Sequence, residues 1–483
     1  MISKQFLIAL AFFTLSFSVS SQALQVNRVQ HGKLAFSEDD LERTYTLSQT
    51  VNPDQSFITL SVVSKAAETD EAALKVAADF LDRRTVRIIR QQKGAGIEVA
   101  LSVAEFKSGA RVRRGVTEFS QDVYQKRVAL SKVETKSAWV LLDVTAESFL
   151  PAARAHLYFL PQLADSHTLV IKRTDAVIPK PEILVKKQIE AEEDETEDKK
   201  KESDFLRIPM PRAQVYWQLI EFEEGGKVQK GSAKMPNFAM DTSAYLSDSL
   251  LHTGRSFFHY YWVAGQGIGA SRGLSLVQAD LPEDNQVVFK RKEKTEERNT
   301  DLEIQWNLIE LLGAAHSVQR GVAHFGSKAK EQVIQIKKTN SDRALVFLQV
   351  TGGKNSASYS EGDQVSSFSF ISEFDGAGQL LLRRGGAAID AEVGWTVVEF
   401  APLTLSSPDG GELFRVGETI EVRWNYSADM LTRGKGAQGE QLADIQISFE
   451  GGRDEFKHTL AKGISITKQE FKWLIPETVN DKT

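Results

Sequence analysis

Val29-Gln30-His31-Gly32-Lys33-Leu34-Ala35-Phe36 is the stretch that decides the fold, because it returns three times. The copies are Val112-Arg113-Arg114-Gly115 through Phe119, Val228-Gln229-Lys230-Gly231 through Met235, and Val318-Gln319-Arg320-Gly321 through Phe325. The shared pattern is Val, Gln or Arg, a basic residue or His, Gly, three variable residues, then Phe or Met. A fixed order of such landmarks marks a tandem array.

Other landmarks recur in register. An apolar strand follows each motif: Ser56 to Leu60, Ser137 to Leu141, Ser256 to Tyr260 and Ala344 to Leu348. Next comes a strand with a basic tail, ending at Arg90, Arg173, Arg291 and Arg384. Then come Trp217-Gln218-Leu219-Ile220-Glu221-Phe222, Trp306-Asn307-Leu308-Ile309-Glu310-Leu311 and Trp395-Thr396-Val397-Val398-Glu399-Phe400, with a weaker copy from Leu101 to Phe106. These tryptophan strands read as the openings of the next units.

Short alternating runs of β-branched and aromatic residues between turn residues predict an all-β chain. It would consist of tandem antiparallel β-sandwich domains, four homologous repeats plus one Ig-like domain, with roughly seven strands per repeat. Val112 and Phe119 are seven apart, on opposite faces of an unbroken strand. A one-residue bulge at Gly115 would return both to one core and account for the fixed glycine. A short helical insertion is expected around Glu71 to Leu81.

The expected divisions are a signal peptide at 1–23, repeats at 24–97 and 98–178, a charged linker at 179–212, repeats at 213–301 and 302–400, and a last domain at 401–483. Lys4, the apolar run Phe6 to Phe17 and the small residues of Ser21-Gln22-Ala23 carry the signal-peptide reading. The run is shorter than the ~20 residues that cross a bilayer. The expected location is therefore extracellular or at the cell surface, with no membrane span. Residues Glu190 to Asp198 hold seven acids in nine positions, which reads as a solvated spacer between two pairs of repeats.

Composition narrows function. Apolar residues are 41% and charged residues 26%, so wholesale disorder is excluded. The net charge is −6, which argues against a nucleic-acid partner. Cys is absent, which excludes disulfides, thiolate metal sites and cysteine nucleophiles.

After Phe400 the pattern changes to Pro408-Asp409-Gly410-Gly411-Glu412, Val416-Gly417-Glu418-Thr419, Trp424 and Trp473-Leu474-Ile475-Pro476. This segment resembles the immunoglobulin-like module of fungal Ser/Thr-rich GPI-anchored cell-wall proteins, found also in bacterial surface proteins. The resemblance implies an extracellular β-sandwich without catalytic residues. In that family another strand follows the last motif, so more sequence is expected beyond Thr483. Residues 24–400 resemble bacterial surface repeats in general style only.

Chemistry candidates are few. Gly269-Ala270-Ser271-Arg272-Gly273 matches a nucleophile elbow, but a strand-like run follows where a helix is required. Gly265-Gln266-Gly267 lacks a βαβ context. None of the eight histidines has metal-ligand spacing, and Asp39-Asp40 and Asp375 lack a calcium-loop pattern. Glu221, Glu310 and Glu399 recur once per repeat, which suits cross-strand packing better than a glycosidase pair. No cofactor is expected.

The best binding candidates are the cations His31, Arg114, Lys230 and Arg320, which would meet an anionic polymer by summed weak contacts. Edge protection is the simpler reading of those charges. Trp217, Trp306 and Trp395 are candidate sugar-stacking platforms, but their place at the start of an apolar strand favours core packing. The expectation is a non-enzymatic exported repeat protein with a structural or adhesive role. Its partner would be cell-surface polysaccharide or another surface protein. The alternative is the non-catalytic, carbohydrate-binding array of a larger secreted enzyme. Four like copies leave no room for a unique reactive cleft.

Overall fold

The computed structural model describes residues 24–476 apart from 67–69, 148–155, 174–177, 180–204, 207–209, 224, 249–252, 265–275, 284, 293–300, 312–314, 353–361, 377, 408–414, 416, 427–441 and 448–457. Strands dominate, and the described residues contain no α-helix.

The first unit has β1 (Gln25–Phe36), β2 (Glu42–Thr46), β3 (Ser56–Ser64), β4 (Ala77–Phe80), β5 (Thr85–Ile89) and β6 (Ile97–Ser108). They form two antiparallel sheets, ordered β1-β6-β3 and β2-β5-β4. The other three units repeat this order strand for strand. Among the described residues each unit's two sheets thus hold six strands, not seven.

This pairing corrects the expected boundaries. The tryptophan strands Ala213–Phe222, Leu302–Leu311 and Ala391–Phe400 do not open new units. Each is the central strand of the sheet begun by the motif strand before it, as β6 is in the first unit. Divisions at 97/98 and 301/302 cut a sheet before its middle strand. By pairing, the units run from β1 to Ser108, Ala110 to Phe222, Gly226 to Leu311 and Ala315 to Phe400.

The charged segment is therefore not a spacer between repeats. It falls inside the second unit, between the fifth strand (Thr168–Arg173) and the sixth (Ala213–Phe222). Ile178–Pro179 pairs with Phe205–Leu206 at its neck. The acidic run itself lies outside the described residues.

No bulge exists at the conserved glycines. The strand Ala110–Phe119 pairs with Ala213–Phe222 without a register shift, and the same holds around Gly32, Gly231 and Gly321. Val112 and Phe119 do point to opposite faces, and both faces are buried. Phe119 packs in its own sandwich with Trp217. Val112 joins a second core shared by all four units. The glycines have another cause: a Cβ on Gly115, Gly231 or Gly321 would intrude on the indole of Trp217, Trp306 or Trp395 in the adjacent strand. In the first unit Leu101 holds the tryptophan's place, and Tyr45 covers Gly32 instead.

The shared core makes the four units one body. Strand register places equivalent residues in quartets: Val29, Val112, Val228 and Val318; Phe57, Trp139, Phe257 and Leu345; Ala104, Ile220, Ile309 and Val398; Phe106, Phe222, Leu311 and Phe400. The array closes on itself. The first strand of each unit packs on the 3-10 turn before the third strand of the preceding unit, and β1 packs on the turn Ser341–Arg343 of the fourth. Lys33 and Arg383, which both pair with Glu98 and Glu373, tie the closing seam. The molecule is a ring of four sandwiches about an apolar axis.

The expected helical insertion is a single 3-10 turn, Glu71–Leu74, followed by β4. The alanines there face packed neighbours rather than extending a helix. The last domain has sheets Leu403–Ser407/Thr419–Tyr426/Glu470–Leu474 and Leu442–Ile447/His458–Ser465. Its core includes Ile420, Val422 and Trp424, and the Trp424 indole N–H donates to Ile466 O at 2.8 Å. Lys107 links it to the first unit through the Tyr426 carbonyl and ring.

Candidate functional site

The repeat motif is a seam device. The Gln position clamps its own unit's chain: Gln30 accepts from Ser48 and the Gln49 N–H and donates to Gln49 O, and Gln229 does the same with Ser247 and Asp248. Arg113 serves there in the second unit, donating to Ser131 O and Lys132 O. The next residue, the cation, reaches the preceding unit. Arg114 donates to Pro53 O at 2.6 Å, Lys230 to Thr135 O at 2.6 Å, and His31 Nε2 meets Ser341 O at 2.9 Å. Each carbonyl belongs to the first residue of a 3-10 turn. Arg320 lies on the strand that packs against the equivalent turn, Thr253–Arg255, within electrostatic reach of Asp280.

The recurrent glutamates hold those turns from below. Glu105 Oε1 accepts the Asn52 N–H at 2.8 Å, Glu221 Oε1 the Glu134 N–H at 2.7 Å, and Glu399 Oε1 the Asn340 N–H at 3.0 Å. A charged acceptor at a capping residue fixes the turn, and the turn then presents its carbonyl to the next unit. Desolvation in the seams lowers all four cations: His31 and Arg320 fall below their ordinary values, Arg114 to about 10 and Lys230 to about 8.

These placements bear directly on the residues expected to bind. His31, Arg114 and Lys230 spend donors on the neighbouring unit across the seams, with His31 and Lys230 still exposed to solvent. Trp217 and Trp306 are 8% and 3% exposed and lie over glycine, so neither offers a stacking face. The basic tails Arg90, Arg173, Arg291 and Arg384 are also buried. Arg173, for example, donates to Val123 O, Pro211 O and Ser120 O. Ser271 and Gly265 to Gly267 lie outside the described residues. No group of three potential metal ligands occurs among the described residues, and Asp39, Asp40 and Asp375 are not brought together.

What the structure does assemble is an axial cavity of about 440 Å³. The third strands of all four units line it: β3, Ala138–Ala146, Ser256–Ala264 and Ala344–Gly352. Side chains alternate along a strand, so the face that supplies the Phe57, Trp139, Phe257 and Leu345 quartet supplies two further levels. One level is Thr59, Leu141, His259 and Phe347. The next is Ser61, Asp143, Tyr261 and Gln349. A second hollow of about 400 Å³ opens at the closing seam beside His31, Glu373 and Phe374, and shares Thr59, Leu60, Ser61 and Val346 with the first.

The axial groups are strongly perturbed. His259 Nδ1 is buried without a hydrogen-bond partner, and desolvation holds this imidazole down to about 4. Its ring meets Tyr261 at 4.8 Å and Trp139 at 5.4 Å between centroids. Tyr261 Oη accepts the Leu142 N–H at 2.5 Å, and burial pushes its pKa well up. Burial raises Asp143 to about 7, partly offset by the Ala78 N–H. Tyr158 stacks on Trp262 at 4.4 Å, with the Lys75 ammonium 4.1 Å from the tyrosine ring centre.

No family model matches the chain, and no curated relative is similar to it. Among solved structures it is similar to the N-terminal domain of the Streptococcus gordonii adhesin Sgo0707, at 8% identity and a TM-score of 0.13, over 85% of this chain and 92% of that one. Likeness at that level carries no argument about function. No helix among the described residues is long and apolar enough to cross a membrane.

Proposed function

We propose that this chain is an exported, non-enzymatic binding protein of the cell surface or extracellular space, whose ring is a rigid hub around one axial ligand pocket. The Ig-like resemblance of the last domain fits such a role. The pocket replaces the many weak outer contacts expected from four like copies, and it supplies the unique cleft that the repetition argued against.

One observation carries the reading. Where the repeats serve structure they agree: Val in one quartet, Gly over each ring, Glu under each turn, Arg at each tail. At the two cavity levels they disagree completely, with Thr, Leu, His and Phe, then Ser, Asp, Tyr and Gln. An axis needed only for packing would be filled with apolar side chains, as the Phe57 level is.

The test is a thermal-shift panel on the full chain, using neutral sugars, small amines and small carboxylates, repeated on Ser61→Trp, which fills the cavity. The reading expects one class to raise Tm in the parent and not in the filled variant. It fails if no class does so, or if the shift survives filling.

A further inference from the structure

Resting on that reading, we propose that the axial cavity takes an organic cation, an ammonium group on an apolar body, with Asp143 as its counter-charge. The argument begins with a charge the fold does not need. The Asp143 carboxylate lies by the backbone N–H of Ala78 on the edge strand of the first unit, which works against the rise that burial gives its pKa. Two seams further round, Gln349 Oε1 accepts the N–H of Ala279, the equivalent edge residue, at 2.9 Å. A neutral amide is therefore sufficient for the seam. The carboxylate adds only a charge, and no Lys or Arg among the described residues forms an ion pair with it.

The surroundings complete the chemistry. Titratable groups near Asp143 are Tyr216, paired with it on the adjacent strand, Tyr261 on the facing third strand, His259 two residues before Tyr261, and the Glu71–Lys75 pair beside Tyr158. His259 is held neutral, and Lys75 is already matched by Glu71 at 3.6 Å. Aromatic rings line the walls: Phe347, which stacks on Phe257 at 5.0 Å, Tyr158, which stacks on Trp262, and Tyr261. A lone carboxylate among aromatic rings is the environment that selects an ammonium ion. The cavity wall contains its own precedent, since Lys75 combines a carboxylate partner with the face of Tyr158. An anionic ligand would meet repulsion from Asp143.

Binding of a cation favours the ionised carboxylate, so complex formation below pH 7 must expel a proton. Affinity then falls about tenfold per pH unit as the solution is acidified below that point.

The probes are benzylamine and its neutral isostere benzyl alcohol, titrated calorimetrically into the full chain at pH 8 and pH 6. The expected result is a preference of about tenfold or more for the amine at pH 8, reduced at pH 6 and lost in Asp143→Asn. That variant keeps the fold because an amide already serves the equivalent seam. Equal binding of the alcohol, or an amine preference that survives Asp143→Asn, overturns the proposal. Neutral sugars that bind the parent but not Ser61→Trp refute the cation and leave the pocket standing. Failure of every probe refutes the pocket reading itself.

Discussion

Gly231 decides between two accounts of the repeat motif. If the glycine served a bulge, its replacement would be a backbone problem. The structure makes it a packing problem: Gly231 has ordinary extended backbone, not a positive φ, and Trp306 occupies the space of a Cβ. Gly231→Ala should gain roughly 0.5–1 kcal/mol from a better strand residue and lose about 1–3 kcal/mol from displacing a well-packed indole. The net is a loss on the order of 1 kcal/mol, or a Tm lower by roughly 1–2 °C for a body of this size. Trp306→Leu alone removes part of a side chain that is 3% exposed and should cost about 2–3 kcal/mol. The double variant should cost about 1–2 kcal/mol less than the sum, because the methyl enters space the indole vacated. In the first unit, where Leu101 stands opposite Gly32, the Tyr45 ring takes the indole's place and the glycine is kept. The assay is urea unfolding followed by near-UV circular dichroism on the four proteins of the cycle. Additive losses, or a neutral Gly231→Ala, would refute the close-approach account.

The cavity predicts a pH signature. His259 is held near 4 in the fold, below its unfolded value, so it contributes stability that is present above pH 6.5 and lost as pH falls toward 4. Asp143 is held near 7, so its contribution runs the other way, present near pH 4 and lost as pH rises through 7. Relative to the parent in denaturant titrations, Asp143→Asn should steepen the acid loss and His259→Gln should reverse it; parallel curves would show that neither group titrates with folding. Arg384→Met should cost about 2–4 kcal/mol in unfolding free energy, since it strands the carbonyls of Ala329, Gly326 and Ile389. Glu221→Ala should cost about 1–3 kcal/mol by releasing the Glu134 N–H and Arg113, read by thermal unfolding. Cleavage in the acidic run should leave both fragments co-eluting on gel filtration, because Ala213–Phe222 lies between Ala110–Phe119 and Ala138–Ala146 in one sheet.

Much of this architecture was legible in the residues. The all-β class, the four copies and the exceptional last domain follow from alternation and self-comparison. The tryptophans' place at the start of an apolar strand and the glutamates' recurrence once per repeat both point to structural roles. The ring was not legible, because its closing contacts join residues such as His31 and Ser341 that are 310 apart. A usable signal was present in Leu219-Ile220 and Val397-Val398, where both faces of a strand are apolar; an antiparallel sheet with one wet face would alternate. A bulge at Gly115 is required only if the strand has one buried face, and it has two. The cavity is hidden in the sequence for a different reason. Asp143, His259 and Tyr261 sit in unremarkable alternating strands, and only aligning the third strands with one another reveals that their identities diverge where structural positions agree.

Closure also bears on how such a chain can change over generations. An open solenoid gains or loses a copy at either end with little penalty. Here an additional sandwich would find no vacant seam, and deleting one would pull His31 away from Ser341 and open the apolar axis to water. Copy number is thus locked at four, and variation is channelled into what each copy presents to the centre.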